Sequence, residues 1–433
     1  MAEQMKFSGI DWIGDIPASW KCSKVKFCFS LVNGSTPESS DYDCWDGDIK
    51  WITPADMSDT GTISHGERFI TKYGYNSCGT TMLPVGSIVI SSRAPIGKIN
   101  ITTTELCTNQ GCKSLIRTGD NRYFYYLLLA GQHELSLLGR GTTFLELSTY
   151  DLNGLGLVTP AEDEQRAIAN FLYKECAQID SIAADLEKQI ALLQKYKKSL
   201  ITETVTKGLD KSVPMKDSGI EGVGKIPSHW KVNRLKYAAV VKTGPFGTQL
   251  SASEYSDEGI PVINVKNIGY GTIIEDDLDY VPDEVCQRLA QHQLQFGDIV
   301  FGRKGAVDKH AIITESQIGW VQGSDCIRVR IYKDIESRYL NYLFDTVYFA
   351  EYVLLYAVGT TMASINSDIL TNSKILVPPI TEQRCIADFL DSNCKVLSEI
   401  IENKQSQLAT LQQHKKSLIY EYVTGKKRVK EVQ

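Results

Sequence analysis

From Glu162 to Lys207 the chain contains neither proline nor glycine, and leucine or isoleucine returns every seven positions at Leu172, Ile179, Leu186, Leu193 and Leu200. Ile168, Ile182 and Ile190 fall on the same face. A stripe of this period predicts a long coiled-coil or bundle helix. The pattern comes back at Leu390, Leu397, Leu411 and Leu418, with Ile400, Ile401 and Leu408 beside them and Lys404 interrupting the seam. Pro160 and Pro379 precede acidic first turns at Glu162-Asp163-Glu164 and Glu382, where negative charge meets the positive end of the helix dipole. Gly208 and Gly425 stand at the far ends, where a C-terminal glycine is expected.

The two stripes are copies. Glu164-Gln165-Arg166 through Lys197-Lys198-Ser199-Leu200-Ile201 recurs as Glu382-Gln383-Arg384 through Lys415-Lys416-Ser417-Leu418-Ile419, and about half of the aligned positions up to Thr206 are identical. A second echo lies upstream, where Ser8-Gly9-Ile10 through Ile16-Pro17, Trp20-Lys21 recurs as Ser218-Gly219-Ile220 through Ile226-Pro227, Trp230-Lys231. The chain is therefore one plan used twice, a globular unit followed by a long helix.

Each globular stretch reads as short mixed elements. Turns are marked at Gly34-Ser35-Thr36-Pro37, Asp46-Gly47, Leu83-Pro84-Val85-Gly86 and Ala94-Pro95. Between such turns lie apolar runs of strand length: 86–91 and 113–116 in the first unit, 259–263, 297–301 and 326–331 in the second. Aromatic-rich helical segments follow at 121–138 and 337–357, each ending near a repeated Gly-Thr-Thr at Gly141 and Gly359. The expected fold is two pseudo-symmetric α/β (α+β) domains joined by two long antiparallel coiled-coil helices. The divisions are 1–160 for the first domain, 161–209 for the first helix, 210–378 for the second domain, and 379–433 for the second helix and a basic tail. A helix of about 43 residues is about 65 Å long, so the first leads away from its own domain. The second must bury its stripe, and the pairing that this topology permits is antiparallel. The other arrangement is that each helix packs on its own domain.

At 433 residues, two domains are the natural division. The net charge of −6 weighs against a free-standing nucleic-acid binder, but not against one with local basic groups or with partners that supply phosphate contacts. Eleven cysteines fall in no regular framework and no leader-like segment precedes them, so reduced thiols in a cytoplasmic protein are expected. The apolar stretches are too short to span a bilayer.

Marks of catalysis are few. There is no phosphate-binding G-x-x-x-x-G-K-[ST] loop, no H-E-x-x-H, and no paired C-x-x-C; Cys107 and Cys112 read as buried small side chains. The apolar Val377-Pro378-Pro379-Ile380 lacks the polar acceptor of the turn used by amino-methyltransferases. One weak nuclease-like match, Pro37-Glu38 with Asp48-Ile49-Lys50, is common by chance. No catalytic residue and no metal site is assigned.

Binding residues are better represented. Arg93 and Lys98 flank a Pro-Gly turn directly after an apolar run, and Asn109, Gln110 and Lys113 follow. The second unit offers Arg303, Lys304 and Lys309, then Gln322 and Arg328. Ser35, Thr36, Gln249, Lys266 and Asn267 complete the candidate DNA-binding set. Arg and Lys can bond guanine edges, Asn and Gln can pair with adenine, and neighbouring cations neutralise phosphates. The competing reading of each is a solvated turn residue or a local backbone cap.

These residues together resemble the specificity (S) subunit of type I restriction-modification systems, over almost the whole chain. The carriers are the Glu-Gln-Arg openings that run on to Phe171-Leu172 and Phe389-Leu390, and the Lys-Lys-Ser-Leu-Ile endings. Gly34-Ser35-Thr36-Pro37, Trp51-Ile52-Thr53-Pro54-Ala55-Asp56, Ser92 through Gly97, Asn109-Gln110-Gly111, Gly244-Pro245-Phe246-Gly247 and Gly297-Asp298-Ile299-Val300 add to it. The resemblance implies two target-recognition domains that each read half of a split double-stranded DNA sequence. It also implies helices that dock two methyltransferase (M) subunits, for which Gln165, Arg166, Lys197, Lys198, Gln383, Arg384, Lys415 and Lys416 are the candidate partner-binding residues. Adenine N6 methylation, with S-adenosylmethionine, would then belong to M, and cleavage, with ATP and Mg, to restriction (R) subunits. The chain itself would need no cofactor. Motif residues shared across variable domains read as scaffold rather than base readers, which leaves phosphate contact for Arg93 and Arg303. The alternatives are a self-contained DNA-modifying or DNA-cleaving enzyme using Asp48 and Lys50, and a two-headed protein-binding scaffold.

Overall fold

The computed structural model describes residues 4–140, 145–359 and 363–429. Gly141-Thr142-Thr143 and Thr360-Thr361 of the repeated Gly-Thr-Thr lie outside them, as does the end of the basic tail. The chain divides into two compact units, 1–187 with 406–433, and 188–405.

In the first unit the strands Ser30–Asn33, Cys112–Ile116, Ile88–Ser91, Ile99–Thr102 and Thr60–Ile63 form a five-stranded sheet in that order. A smaller sheet has Trp45–Ile52 between Cys107–Thr108 and Arg68–Ile70. The apolar runs explain the assignment: Ile88, Val89 and Ile90 are fully buried because both faces of this strand are covered. The aromatic-rich segment is not one helix but two, Arg122–Ala130 and Gln132–Leu137. Gly131 separates them, and a Cβ there would come within 2.9 Å of the Trp12 ring.

The long helix Glu162–Lys207 starts and stops where its sequence says, and Gly208 follows it at φ +72°. Residues 162–187 of this helix pair antiparallel with the end of the second long helix, Ile380–Val423. The Phe171 ring lies 4.5 Å from that of Tyr422, and Asp180 receives the Lys415 ammonium at 2.6 Å. Ile419 and Val423 enter the core of the first domain beside Trp20, Tyr123 and Ile168.

The second unit repeats the plan. Ala239–Thr243, Cys326–Ile331, Ile299–Gly302, His310–Ile312 and Tyr270–Gly271 form its five-stranded sheet in the same order. Asp279–Val281, Ile260–Ile263 and Val321–Gln322 form the smaller one. The segment expected to be one helix is again broken, into Ser337–Phe344 and Val347–Tyr356. Here residues 188–207 pair antiparallel with the start of the second long helix, Lys197 reaching Ser398 Oγ at 2.8 Å and Lys404 reaching Gln189 Oε1 at 2.6 Å. Ile201 and Val205 enter the core of this domain. So each domain is completed by the end of the other domain's helix.

Two seam assignments need correction. Ile182 and Ile400 are exposed, because the buried stripe alternates steps of four and three residues and passes through Cys176 and Cys394 instead. Lys404 does interrupt the apolar seam, and its ammonium is satisfied by Gln189.

The upstream echo has a packing explanation. A Cβ on Gly425 would strike the Pro17 ring at 2.3 Å, and one on Gly208 would come within 3.2 Å of the Trp230 ring. The Ile-Pro-x-x-Trp motif of each domain therefore seats the terminal glycine of the incoming helix. Both glycines have positive φ, so a side chain would be strained there as well as crowded.

Candidate nucleic-acid interface

The loops around one end of each central sheet hold most of the candidate residues. Gly34 and Gly244 start this region: a Cβ on either would fall on the backbone of Asn109 or Gly323, at 2.0 Å and 1.8 Å. That close approach lets Ser35 N–H donate to Thr108 O at 2.9 Å, while Ser35 O accepts from Trp51 Nε1 at 2.9 Å. Ser35 is thus held by its backbone, and the Thr36 hydroxyl meets Gln110 Oε1. Gln110 is exposed, whereas Asn109 Oδ1 caps Gly111 N–H at 2.9 Å.

Strand register identifies equivalent loop positions. Arg93 bridges to Glu146, and Lys304 bridges to Ser364 at the matching place, so Lys304 rather than Arg303 is the counterpart of Arg93. Both cations form exposed ion pairs, Arg93 with Glu146 at 3.3 Å and Lys304 with Asp325 at 3.1 Å. Arg303 is half-buried and matches Ser92: their N–H groups bond Asp325 O and Gly111 O. Lys98 and Lys309 are also equivalent but behave differently. Lys98 Nζ staples the carbonyls of Pro54 (3.2 Å) and Met57 (2.8 Å), whereas Lys309 Nζ lies over the Tyr270 ring at 5.6 Å. Gln249 is exposed, and Lys266 is exposed beside Asp277 and Asp279 at 2.9 Å and 3.3 Å.

Four candidates are enclosed, and their positions correct the surface reading. Lys113 donates to Asn33 Oδ1 and Thr149 Oγ1, and burial lowers its pKa. Asn267 caps its own turn, donating to Ile274 O and Asp276 O. Gln322 donates to Lys242 O and Cys326 O at 2.9 Å and 3.0 Å. Arg328 donates to Gln291 O and Gln293 O, and burial lowers its pKa too. Each side chain is anchored to backbone carbonyls or neighbouring side chains inside the fold, and the atoms left unpaired, Gln322 Oε1 and Arg328 Nε, are themselves buried, so none presents a free edge to a base. Polarity in the sequence concealed their burial.

The helix candidates also divide. Gln165 and Gln383 are buried, each donating to the carbonyl of the proline five residues earlier at 2.8 Å. Gln383 also receives Glu336 N–H at 2.9 Å. Arg166 pairs with Asp163 and Arg384 with Glu336 on the surface. Lys197 and Lys415 cross to the opposite helix, while Lys198 and Lys416 are exposed.

Sequence reasoning passed over a strip just after the Trp-Lys echo. Lys26 lies 4.8 Å over the Phe27 ring and Lys236 5.3 Å over that of Tyr237, with both rings exposed at equivalent places. The echo itself was the available signal. For the nuclease-like match, the turn expected at Asp46-Gly47 is instead a bulge inside the strand Trp45–Ile52, where Asp46 has φ +58°, and the Glu38 carboxylate accepts from Ser40. Among the described residues no group of three His, Cys, Asp or Glu side chains could hold a metal ion. No helix among them is long and apolar enough to cross a membrane.

The family model described as "Type I restriction modification DNA specificity domain" matches residues 17–192 and again 227–410. The chain belongs to that family. Its repeat is thus a repeat of the family's own domain. The MjaIX specificity subunit of Methanocaldococcus jannaschii is 28% identical over 97% of this chain and 96% of its own length. The EcoKI specificity subunit of Escherichia coli is 22% identical over 58% of this chain and 53% of its own. Among solved structures, a chain from a study of the assembly and conformational transition of the type I R-M system superposes with a TM-score of 0.70. It shares 14% identity and covers 94% of this chain and 98% of its own, which is a likeness of fold.

Proposed function

We propose that this chain is the DNA-reading subunit of a type I restriction-modification complex, with each domain recognising one half of a split double-stranded target. The observation that carries this reading is the pair of family matches, one for each copy of the domain plan. Equivalent loop positions also carry different side chains, Arg93 against Lys304 and Ser92 against Arg303, so the two domains would read unlike half-sites. The subunit works without a catalytic site of its own, in the cytoplasm. Two M subunits dock on the helix pair and methylate adenine N6 with S-adenosylmethionine after the base leaves the stack. R subunits, with ATP and Mg, add cleavage. Exposed Lys198, Arg166, Arg384 and Lys416 suit the docking role, whereas Gln165 and Gln383 act by fixing the helix starts.

Sequencing of modified adenines in cells that express the chain with its M partner tests this. The expected result is a bipartite motif with a fixed gap, and exchange of the 86–116 segment alters only one half of it. An undivided motif, or methylation or cleavage by the purified chain alone, refutes the reading.

A further inference from the structure

One corner of the central sheet changes its charge between the two copies. Ser114 and Arg328 occupy the same place, each opposite the matching valine of the neighbouring strand, Val89 and Val300. Their partners on the edge strand are Val32 and Lys242, and two residues further on stand Ile116 and Arg330. Just before the same inner strand, Ser87 of the first unit is Asp298 in the second. Val32 and Ile116 pack on an apolar cluster. In their place the second unit has a lysine and two arginines against one aspartate.

The aspartate is engaged and enclosed. Asp298 is 2% exposed and accepts Arg330 Nε at 2.8 Å, Arg330 Nη2 at 2.7 Å and Gln295 N–H at 2.8 Å. Arg328 is enclosed too, so it contributes charge rather than contact. Lys242 and Arg330, by contrast, are half-buried and reach the surface. Partial burial, then Arg328 and Arg330, lower the pKa of Lys242, and among the described residues no carboxylate pairs with it. Its one hydrogen bond among them goes to the exposed Gln291, at Oε1 and 2.7 Å, which leaves the Gln291 Nε2 donor unspent. Arg330 Nη1 is also unpaired among the described residues and is not buried. Lys242 faces Arg328 across the strand pair, so it is the diagonal neighbour of Arg330 on one sheet face. Diagonal Cβ atoms lie about 7–8 Å apart, within reach of two long side chains that share a guest.

We propose that Lys242, Arg330 and Gln291 form a phosphate site that the first domain lacks. A phosphate presents acceptor oxygens at several corners, which suits three unspent donors, and its charge offsets the excess of cations. Arg328 behind the pair adds to the attraction without touching the guest. The source is a backbone phosphate of DNA or a free phosphate ester. Lys242 stands two residues before Gly244, at the edge of the loops assigned above to DNA. The DNA source rests on that DNA-reading role; the phosphate site itself does not.

The test is an NMR titration of the full chain with inorganic phosphate at constant ionic strength, with chloride as control. The ring of His292, which lies near Lys242 and Arg328, is the reporter. Phosphate should shift its signals saturably and chloride should not. Lys242→Val restores the residue of the first unit and Lys242→Gln keeps the length without the charge. Each should weaken phosphate by about tenfold while the thermal transition is retained. No saturable shift, an equal shift with chloride, or undiminished phosphate binding in both variants overturns the proposal. DNA titrations of the assembled complex at graded salt separate the sources. A slope of log K against log salt lowered by about 0.9 in Lys242→Val assigns a backbone phosphate. An unchanged slope, with phosphate still bound by the parent chain, assigns a free phosphate ester. A complex that binds no DNA at all defeats the DNA-reading role and leaves the phosphate titration to decide the site.

Discussion

The hydroxyl of Tyr123 lies 3.1 Å from the backbone carbonyl of Val423, three hundred residues further along the chain. It also faces Val158 O at 3.0 Å, and Tyr339 repeats the arrangement with Leu376 O and Val205 O at 3.1 Å and 3.3 Å. One buried phenol in each domain thus reads both the strand before its own helix and the end of the other. Tyr123→Phe and Tyr339→Phe should each cost about 1–2 kcal/mol, since buried carbonyls lose a donor. Chemical denaturation followed by a probe in each unit measures this; a cost below about 0.3 kcal/mol would show that the bonds contribute nothing.

Removal of residues 406–433 takes Ile419 and Val423 out of the core of the first domain. The truncated chain should lose the folding transition of the first unit and keep that of the second. Conversely, a chain ending at Gly208 retains Ile201 and Val205, which are the equivalents of Ile419 and Val423, and should dimerise to complete itself. Sedimentation of that half-chain as a well-folded monomer would contradict the account.

Burial divides the candidate DNA contacts into two experimental classes. Arg328→Ala strands the carbonyl of Gln291, while Gln293 O keeps the Arg330 donor, and should destabilise the second unit by about 1–3 kcal/mol. Lys304→Ala should leave stability within about 0.5 kcal/mol and lower the slope of log K against log salt by about 0.9 if Lys304 neutralises one phosphate. DNA titrations of the assembled complex at several salt concentrations decide; an unchanged slope removes Lys304 from the interface.

His292 is buried near Lys242 and Arg328, and its pKa is lowered from 6.5 to about 4, first by burial and then by those cations. The folded state therefore binds fewer protons than the unfolded one between these values. The stability of the second unit should fall as pH drops from about 6.5 towards 4, by up to about 3 kcal/mol, and level off below. His292→Gln should flatten this part of the profile. Parallel pH profiles for variant and parent would refute the assignment.

If the gap between half-sites is set by the helix pair, four residues inserted after Lys188 should leave each half-site intact and shift the gap. Methylation assays on targets of graded spacing read this directly. An unchanged gap would dissociate helix length from target choice.

The sequence by itself determined the two-copy plan and the two long helices. Seven-residue periodicity, acidic starts and terminal glycines act within a few turns of the chain, so they are legible without tertiary information. Gly208 and Lys207 show this, since the helix ends between them as the pattern requires. The antiparallel pairing followed from connectivity. Tertiary structure decided what lies inside. Lys113, Asn267, Gln322 and Arg328 read as surface polar residues, yet each satisfies internal carbonyls or amides, because a buried polar group must find partners wherever the fold supplies them.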